Sequence, residues 1–199
     1  MSAFTTAALL AGGKSRRMGF DKQLFHTRKE RLFEHLLPTL SAKFEDVMVV
    51  TGEPDSYRGM GVRTVKDIIS GLGPLSGIHA AIREAKSEYV YILACDMPRI
   101  NLSYIDYMIQ MLTLSPACAC VTRKADWIEP FHGFYGKGAL TAIEEDLLMG
   151  KSSVFYMLQK LNTLYIPEVE ARSFTPDWSL FCNLNTREEY AALLESAEA

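Results

Sequence analysis

Thr5-Thr6-Ala7-Ala8-Leu9-Leu10-Ala11-Gly12-Gly13-Lys14-Ser15-Arg16-Arg17-Met18-Gly19-Phe20-Asp21-Lys22 is the stretch around which the rest of the chain is organised. Residues 5–10 are apolar enough for a short strand buried on both faces of a parallel sheet. The strand stops at Gly12 and Gly13, where missing side chains let backbone N–H groups come close to a phosphate. Four cations then follow, Lys14, Arg16, Arg17 and Lys22. That order suits a polyphosphate, although solvated cations around a surface turn share the composition. Two familiar phosphate loops do not fit. Gly13-Lys14-Ser15 matches the end of a P-loop, but the first glycine of that motif would fall at Ala8. The dinucleotide fingerprint fails because the glycines are adjacent and then widely spaced.

Outward from this stretch, apolar runs and helical spacings alternate. Leu32, Phe33, Leu36, Leu37 and Leu40 recur at helical intervals. Residues 47–51, 62–65 and 89–94 read as buried strands, and a glycine-rich loop at 71–77 opens a helix from about residue 78 to 85. Ile105, Met108, Ile109 and Leu112 mark a further helix. Past residue 117 the pattern loosens. Residues 118–122 and 131–135 read as strands, with antiparallel pairing an option, and 138–149 and 153–161 as helices. Residues 164–166 form a strand candidate, and 186–195 a closing helix with Thr186 and Glu189 as a capping box. The alternation predicts an α/β, Rossmann-like fold: a mainly parallel sheet with helices on both faces. Such sheets bind ligands beyond the carboxyl ends of their strands, a rim that receives Gly12, Thr51, Asp67 and Asp96.

The 199 residues suffice for one domain with a substantial core, and no repeat or linker divides them. With 48% hydrophobic and 23% charged residues and a net charge of −3, the chain has no global attraction for nucleic acid. No apolar run reaches the roughly 20 residues that span a bilayer, and no leader pattern opens the chain, so a cytoplasmic protein is expected. Cys95, Cys118, Cys120 and Cys182 form no C-x-x-C pair and are expected to be buried free thiols. His26, His35, His79 and His132 show no dyad with a Ser or Cys nucleophile, so nothing suggests covalent catalysis.

The run Leu-Ala-Gly-Gly-x-Ser-x-Arg-Met-Gly-x-Asp-Lys, which spans residues 10–22, resembles the opening of nucleotidyltransferases that build sugar nucleotides and dinucleotide cofactors. It is most similar to that of the molybdenum cofactor guanylyltransferases. Gly73-Pro74-Leu75-Ser76-Gly77 resembles the family's Gly-Pro-Leu-x-Gly segment, and Ala94-Cys95-Asp96-Met97-Pro98 its metal-binding strand end. Asn183-Leu184-Asn185-Thr186-Arg187-Glu188-Glu189 resembles Asn-x-Asn-Thr-Pro-Glu-Glu, with Arg187 in the proline position. Glu129-Pro130-Phe131-His132-Gly133-Phe134-Tyr135 matches a Pro-Leu-x-Gly-Leu-Tyr segment loosely. The likeness is strong up to Asp96 and weak between Ala117 and Leu180.

The resemblance implies transfer of GMP from GTP to molybdenum-bound molybdopterin with Mg²⁺. Residues 1–100 would be the nucleotide-binding part and residues 101–199 the acceptor-binding part of a single domain. It implies nucleotide contacts at Leu10, Ala11, Gly12, Gly13, Lys22, Thr51, Asp67, Gly73 and Asp96, and catalytic roles for the cations Arg17 and Lys22 and for Asp96. Lys14 and Arg16 fill variable positions. Thr51 stands where many relatives carry asparagine, and a hydroxyl offers fewer donors and acceptors. Asp96, a carboxylate leaving an apolar strand, suits Mg²⁺, which takes carboxylate and phosphate oxygens together; a turn or helix cap is its other reading. Asn183 and Asn185 would face the acceptor, or for Asn185 the metal, though asparagine also serves turns. Partners would be GTP, molybdopterin and proteins that make the cofactor or insert it, with no nucleic acid and no membrane. The rivals are a relative using CTP or a sugar-phosphate acceptor, and a nucleotide-binding regulator without transfer activity. Gly12-Gly13 and the Gly-Pro-Leu-x-Gly segment favour GTP over CTP.

If Lys22 reaches the phosphates, Lys22→Ala removes a charge-assisted contact worth about 1.5–3 kcal/mol and weakens GTP binding roughly ten- to a hundredfold. Lys14→Ala changes affinity far less. Calorimetry at two salt concentrations checks both, and equal losses would make the cluster a diffuse basic surface.

Overall fold

A computed structural model describes residues 2–11, 26–27, 30–66, 69, 71–184 and 189. Among them, seven strands form one sheet in the order β5-β4-β1-β6-β8-β7-β9. These strands are β1 (Thr6–Leu10), β4 (Asp46–Val50), β5 (Arg63–Val65), β6 (Tyr89–Ala94), β7 (Ala119–Lys124), β8 (Trp127–Gly136) and β9 (Thr163–Pro167). A separate two-stranded ribbon pairs β2 (His26–Thr27) with β3 (Glu30–Arg31). The helices are α1 (Leu32–Lys43), α2 (Pro74–Glu84), α3 (Leu102–Leu114), α4 (Leu140–Leu148), α5 (Val154–Lys160) and α6 (Glu168–Ala171).

β1 is buried at every position, as a central parallel strand must be. Its side chains alternate between two cores. Ala7 and Leu9 join Leu36 and Leu40 of α1 and Ile105 and Met108 of α3, whereas Ala8 and Leu10 join Leu75 and Ile78 of α2 and Ile143 of α4. β6 divides likewise, Tyr91 and Leu93 to the first core and Val90 and Ile92 to the second. Helices therefore cover both faces of the sheet.

β5, β4, β1 and β6 run parallel, β8 runs antiparallel to β6 and β7, and β9 is parallel to β7. Every strand except β8 therefore points its carboxyl end to the same rim. The chain leaves β1 toward β4 and β5, then crosses to β6 on the other side, so the strand order reverses at β1. Crevices at such reversals are where open α/β sheets bind ligands.

The structure departs from the sequence expectations at three places. α2 begins at Pro74 rather than near residue 78, because proline at the first helical position is already set to a helical φ and has no N–H to satisfy. β8 begins at Trp127 and is broken by a bulge: Cys120 pairs with Phe134 but Thr122 with Glu129, and His132 turns the chain with φ +54°. The thiols are free, but Cys120 alone among them is buried; Cys95 and Cys118 are half-buried and Cys182 is exposed, since the buried residue of that apolar stretch is Phe181. The closing helix expected at 186–195 lies outside the described residues apart from helical Glu189. No helix among the described residues is long and apolar enough to cross a membrane.

The bulge depends on Gly133. A Cβ there would lie 2.9 Å from the Cys120 carbonyl oxygen and 2.9 Å from Val121 Cγ1, and a backbone carbonyl cannot step aside as a flexible side chain would. Gly133→Ala should cost about 1–3 kcal/mol by overpacking, lowering Tm by roughly 2–4 °C per kcal/mol. Gly52→Ala, with open space around its Cβ, should change Tm little. Calorimetric melting of both variants checks the contrast.

Candidate active site at the carboxyl rim

The rim is built by register. Leu10 lies level with Val50 on one side and with Ala94 on the other, and Val50 with Val65. Past the last ladder positions three backbone bonds continue the alignment: Ala11 N–H donates to Val50 O at 2.9 Å, Thr51 N–H to Val65 O at 2.9 Å, and Cys95 N–H to Leu10 O at 3.1 Å. Ala11, Thr51 and the Cys95-Asp96 turn therefore leave the sheet side by side. Asp96 is half-buried and stands at the strand reversal, one residue past the Cys95 N–H bond to Leu10.

Thr51 is buried to 1% exposure, and its Oγ1 accepts the N–H of Glu53 at 3.1 Å. The hydroxyl thus closes the turn after β4 and keeps its own hydrogen to donate.

Gly73 precedes α2 with φ +66° and ψ −150°, a region essentially reserved for glycine. Its sequence motif therefore has a backbone reason. Gly77, in the first turn of α2, faces Leu10 and Val50 at the end of the sheet, with room for a Cβ in ordinary contact. Because α2 follows β5, its amino end lies at the rim, where free N–H groups and the helix dipole favour an anion.

The far end of the chain returns to this rim. Leu184 N–H donates to the carbonyl of Asp96 at 2.8 Å, which sets Asn183, exposed, beside the Asp96 turn. Residues 174–177 and 179–180 line a cavity of about 350 Å³ together with Arg99 and Asn101, just beyond that turn. Arg17, Lys22, Gly12, Gly13, Lys14, Arg16, Asp67 and Asn185 lie outside the described residues. No group of three or more His, Cys, Asp or Glu side chains gathers for a metal among the described residues. Mg²⁺ fits one carboxylate at this place nonetheless, because it keeps its waters and takes the remaining ligands from phosphates.

The buried histidines tie elements together. His79 Nε2 meets Glu144 Oε1 at 3.0 Å, joining α2 to α4, and His132 Nδ1 meets the Tyr91 hydroxyl at 2.7 Å, joining β8 to β6. Burial holds the His132 imidazole down at a pKa of about 3, so the ring is neutral at neutral pH.

Trp178 gives no sequence signal. It adopts φ +63° and ψ +11°, a left-handed conformation costing a side-chain-bearing residue about 1–2 kcal/mol. Its ring lies under Lys124 Nζ, 4.6 Å from the centroid, and Arg172 Cζ, at 5.2 Å, and its Nε1 donates to Glu129 Oε1 at 3.3 Å. Burial raises the Glu129 carboxyl above its ordinary range, partly opposed by the indole hydrogen bond.

Residues 7–163 match the MobA-like NTP transferase domain. The chain belongs to the MobA-like NTP transferase family. The molybdenum cofactor guanylyltransferase of Syntrophotalea carbinolica is 51% identical over 187 residues, covering 94% of this chain and 89% of that protein. The probable molybdenum cofactor guanylyltransferase of Peptoclostridium acidaminophilum is 46% identical, covering 94% and 86%. The crystal structure of molybdopterin-guanine dinucleotide biosynthesis protein A from Archaeoglobus fulgidus superposes with a TM-score of 0.82 at 24% identity, over 97% and 98% of the two chains. The 2-C-methyl-D-erythritol 4-phosphate cytidylyltransferase of Thermus thermophilus has a TM-score of 0.66 at 12% identity, over 96% and 98%. The MobA-like fold is thus shared with an enzyme of different specificity, and fold alone does not choose the base.

Proposed function

We propose that this MobA-like chain transfers GMP from GTP to molybdenum-bound molybdopterin, forming the guanine dinucleotide cofactor and releasing pyrophosphate. Relatives of 51% and 46% identity over most of the chain bear the guanylyltransferase name. The observation that carries the reading to a site is the rim itself, where Leu10, Ala11, Thr51 and Asp96 lie together and the segment carrying Asn183 is bonded to the Asp96 turn.

In this reading a phosphate oxygen of the pterin attacks the α-phosphorus of GTP in line. One P–O bond forms, the bond between α-phosphorus and bridging oxygen breaks, and pyrophosphate departs with its electron pair. The chain supplies position and charge rather than a covalent intermediate. Gly12 and Gly13 offer backbone N–H groups, and Arg17 and Lys22 balance the triphosphate. Asp67, Thr51 and the turn at Gly73 hold the nucleotide, while Asn183 and Asn185 face the acceptor. Asp96 would hold Mg²⁺, which when bound neutralises phosphate charge. The enzyme would work in the cytoplasm, beside proteins that make the acceptor or insert the product, and its cysteines form no disulfide.

GTP with Mg²⁺ should raise the melting temperature more than CTP, UTP or ATP at equal concentration, since a ligand stabilises the folded state it binds. Thermal-shift measurements check this. Equal or greater stabilisation by CTP would move the assignment to a cytidylyltransferase.

A further inference from the structure

We infer that Trp178 is a positioning residue: it fixes the turn that returns Asn183 to the Asp96 loop, and so holds the acceptor half of the site against the nucleotide half. The inference rests on the proposed roles of Asp96 and Asn183.

The segment from 175 to 184 crosses from α6 back to the rim; Leu180 and Phe181 are buried in the first core, while Thr175, Pro176, Asp177 and Ser179 line the cavity. Local bonds wind it tightly. Trp178 N–H donates to Thr175 O at 3.0 Å, Leu180 N–H to Thr175 Oγ1 at 3.2 Å, and Phe181 N–H to Trp178 O at 3.1 Å. The left-handed conformation of Trp178 sets the direction in which the Ser179–Phe181 turn leaves. A bulky residue persists there only when its surroundings over-determine it. Here they do. Lys124 at the end of β7 and Arg172 just past α6 lie over the indole, Glu129 of β8 accepts its N–H, and the Phe181 ring packs on it at 4.7 Å. The stretch of β8 bearing Glu129 lies beyond the bulge, where β8 pairs with β7 and no longer with β6. The indole therefore joins the β7–β8 hairpin to the returning segment. Downstream, that segment ends in the Leu184 N–H bond to the Asp96 carbonyl. A tryptophan wanted only for packing has no need of a left-handed backbone.

The test follows the Leu184 amide by hydrogen exchange, with GTP affinity and acceptor-dependent pyrophosphate release measured on the same proteins. Trp178→Gly keeps the left-handed turn accessible and removes the indole. It should speed Leu184 exchange and slow acceptor-dependent release at least tenfold each, with GTP affinity within about threefold of wild type and exchange in β1 unchanged. Trp178→Phe and Glu129→Ala should do the same to a lesser degree, and Glu129→Gln, which keeps an oxygen for the indole, should restore most of the loss. These milder variants decide the matter if Trp178→Gly does not fold. Wild-type exchange at Leu184 in the altered proteins would overturn the inference, as would a parallel loss of GTP affinity and β1 protection, which is the mark of a general structural role. Asp96→Asn, run alongside, separates the two claims. Turnover surviving in Asp96→Asn would defeat the site reading, whereas Leu184 exchange reports on Trp178 whatever the activity.

Discussion

The hydrogen bond from Cys95 N–H to the Leu10 carbonyl joins the ends of β1 and β6 after their last paired residues. On one side of it the chain hands over to Gly12; on the other stands Asp96. β1 and β6 flank the reversal of strand order, the place at which open α/β sheets bind ligands. The register of the two neighbouring ladders then brings Ala11 and Thr51 level with the same edge. A shift of either ladder by one residue would exchange its two core faces and move these groups off the rim. The site is thus set by the same alternation that fills the two cores.

The other half of the rim is made differently. β8 runs against the direction of its neighbours, and the bulge at Pro130, Phe131 and His132 frees its first half from β6. Gly133 makes this possible by accepting close contact with Cys120 and Val121, and the Tyr135 hydroxyl closes the bulge on the Pro130 carbonyl at 2.7 Å. The result is a hairpin that leaves β6 while staying paired with β9, and it supplies Lys124 and Glu129 to Trp178. The sheet thus joins four parallel strands, β5, β4, β1 and β6, to an irregular antiparallel part built on β8.

Much of the parallel part of the sheet was legible because central parallel strands are continuous apolar runs and their ends are marked by glycine or aspartate, as after Leu10 and Ala94. The start of α2 was misplaced because Gly73-Pro74 reads as a turn, and only φ +66° at Gly73 shows it to be the helix entrance. β8 was shortened because Pro130 and a left-handed His132 interrupt its alternation. The contact of Leu184 with Asp96 and the conformation of Trp178 left no trace in local pattern, since both arise from pairings between residues far apart in the chain. Asp96 and Asn183 were singled out by type and motif, and the structure adds that they share one corner.

Product analysis in a single reaction addresses the account most directly. Equimolar GTP and CTP are offered together with Mg²⁺ and molybdenum-bound molybdopterin, and the products are identified by mass spectrometry. The account predicts the guanine dinucleotide of molybdopterin, formed in step with pyrophosphate. A predominant cytosine dinucleotide, or GTP consumed without a nucleotide appearing on the pterin, would contradict it.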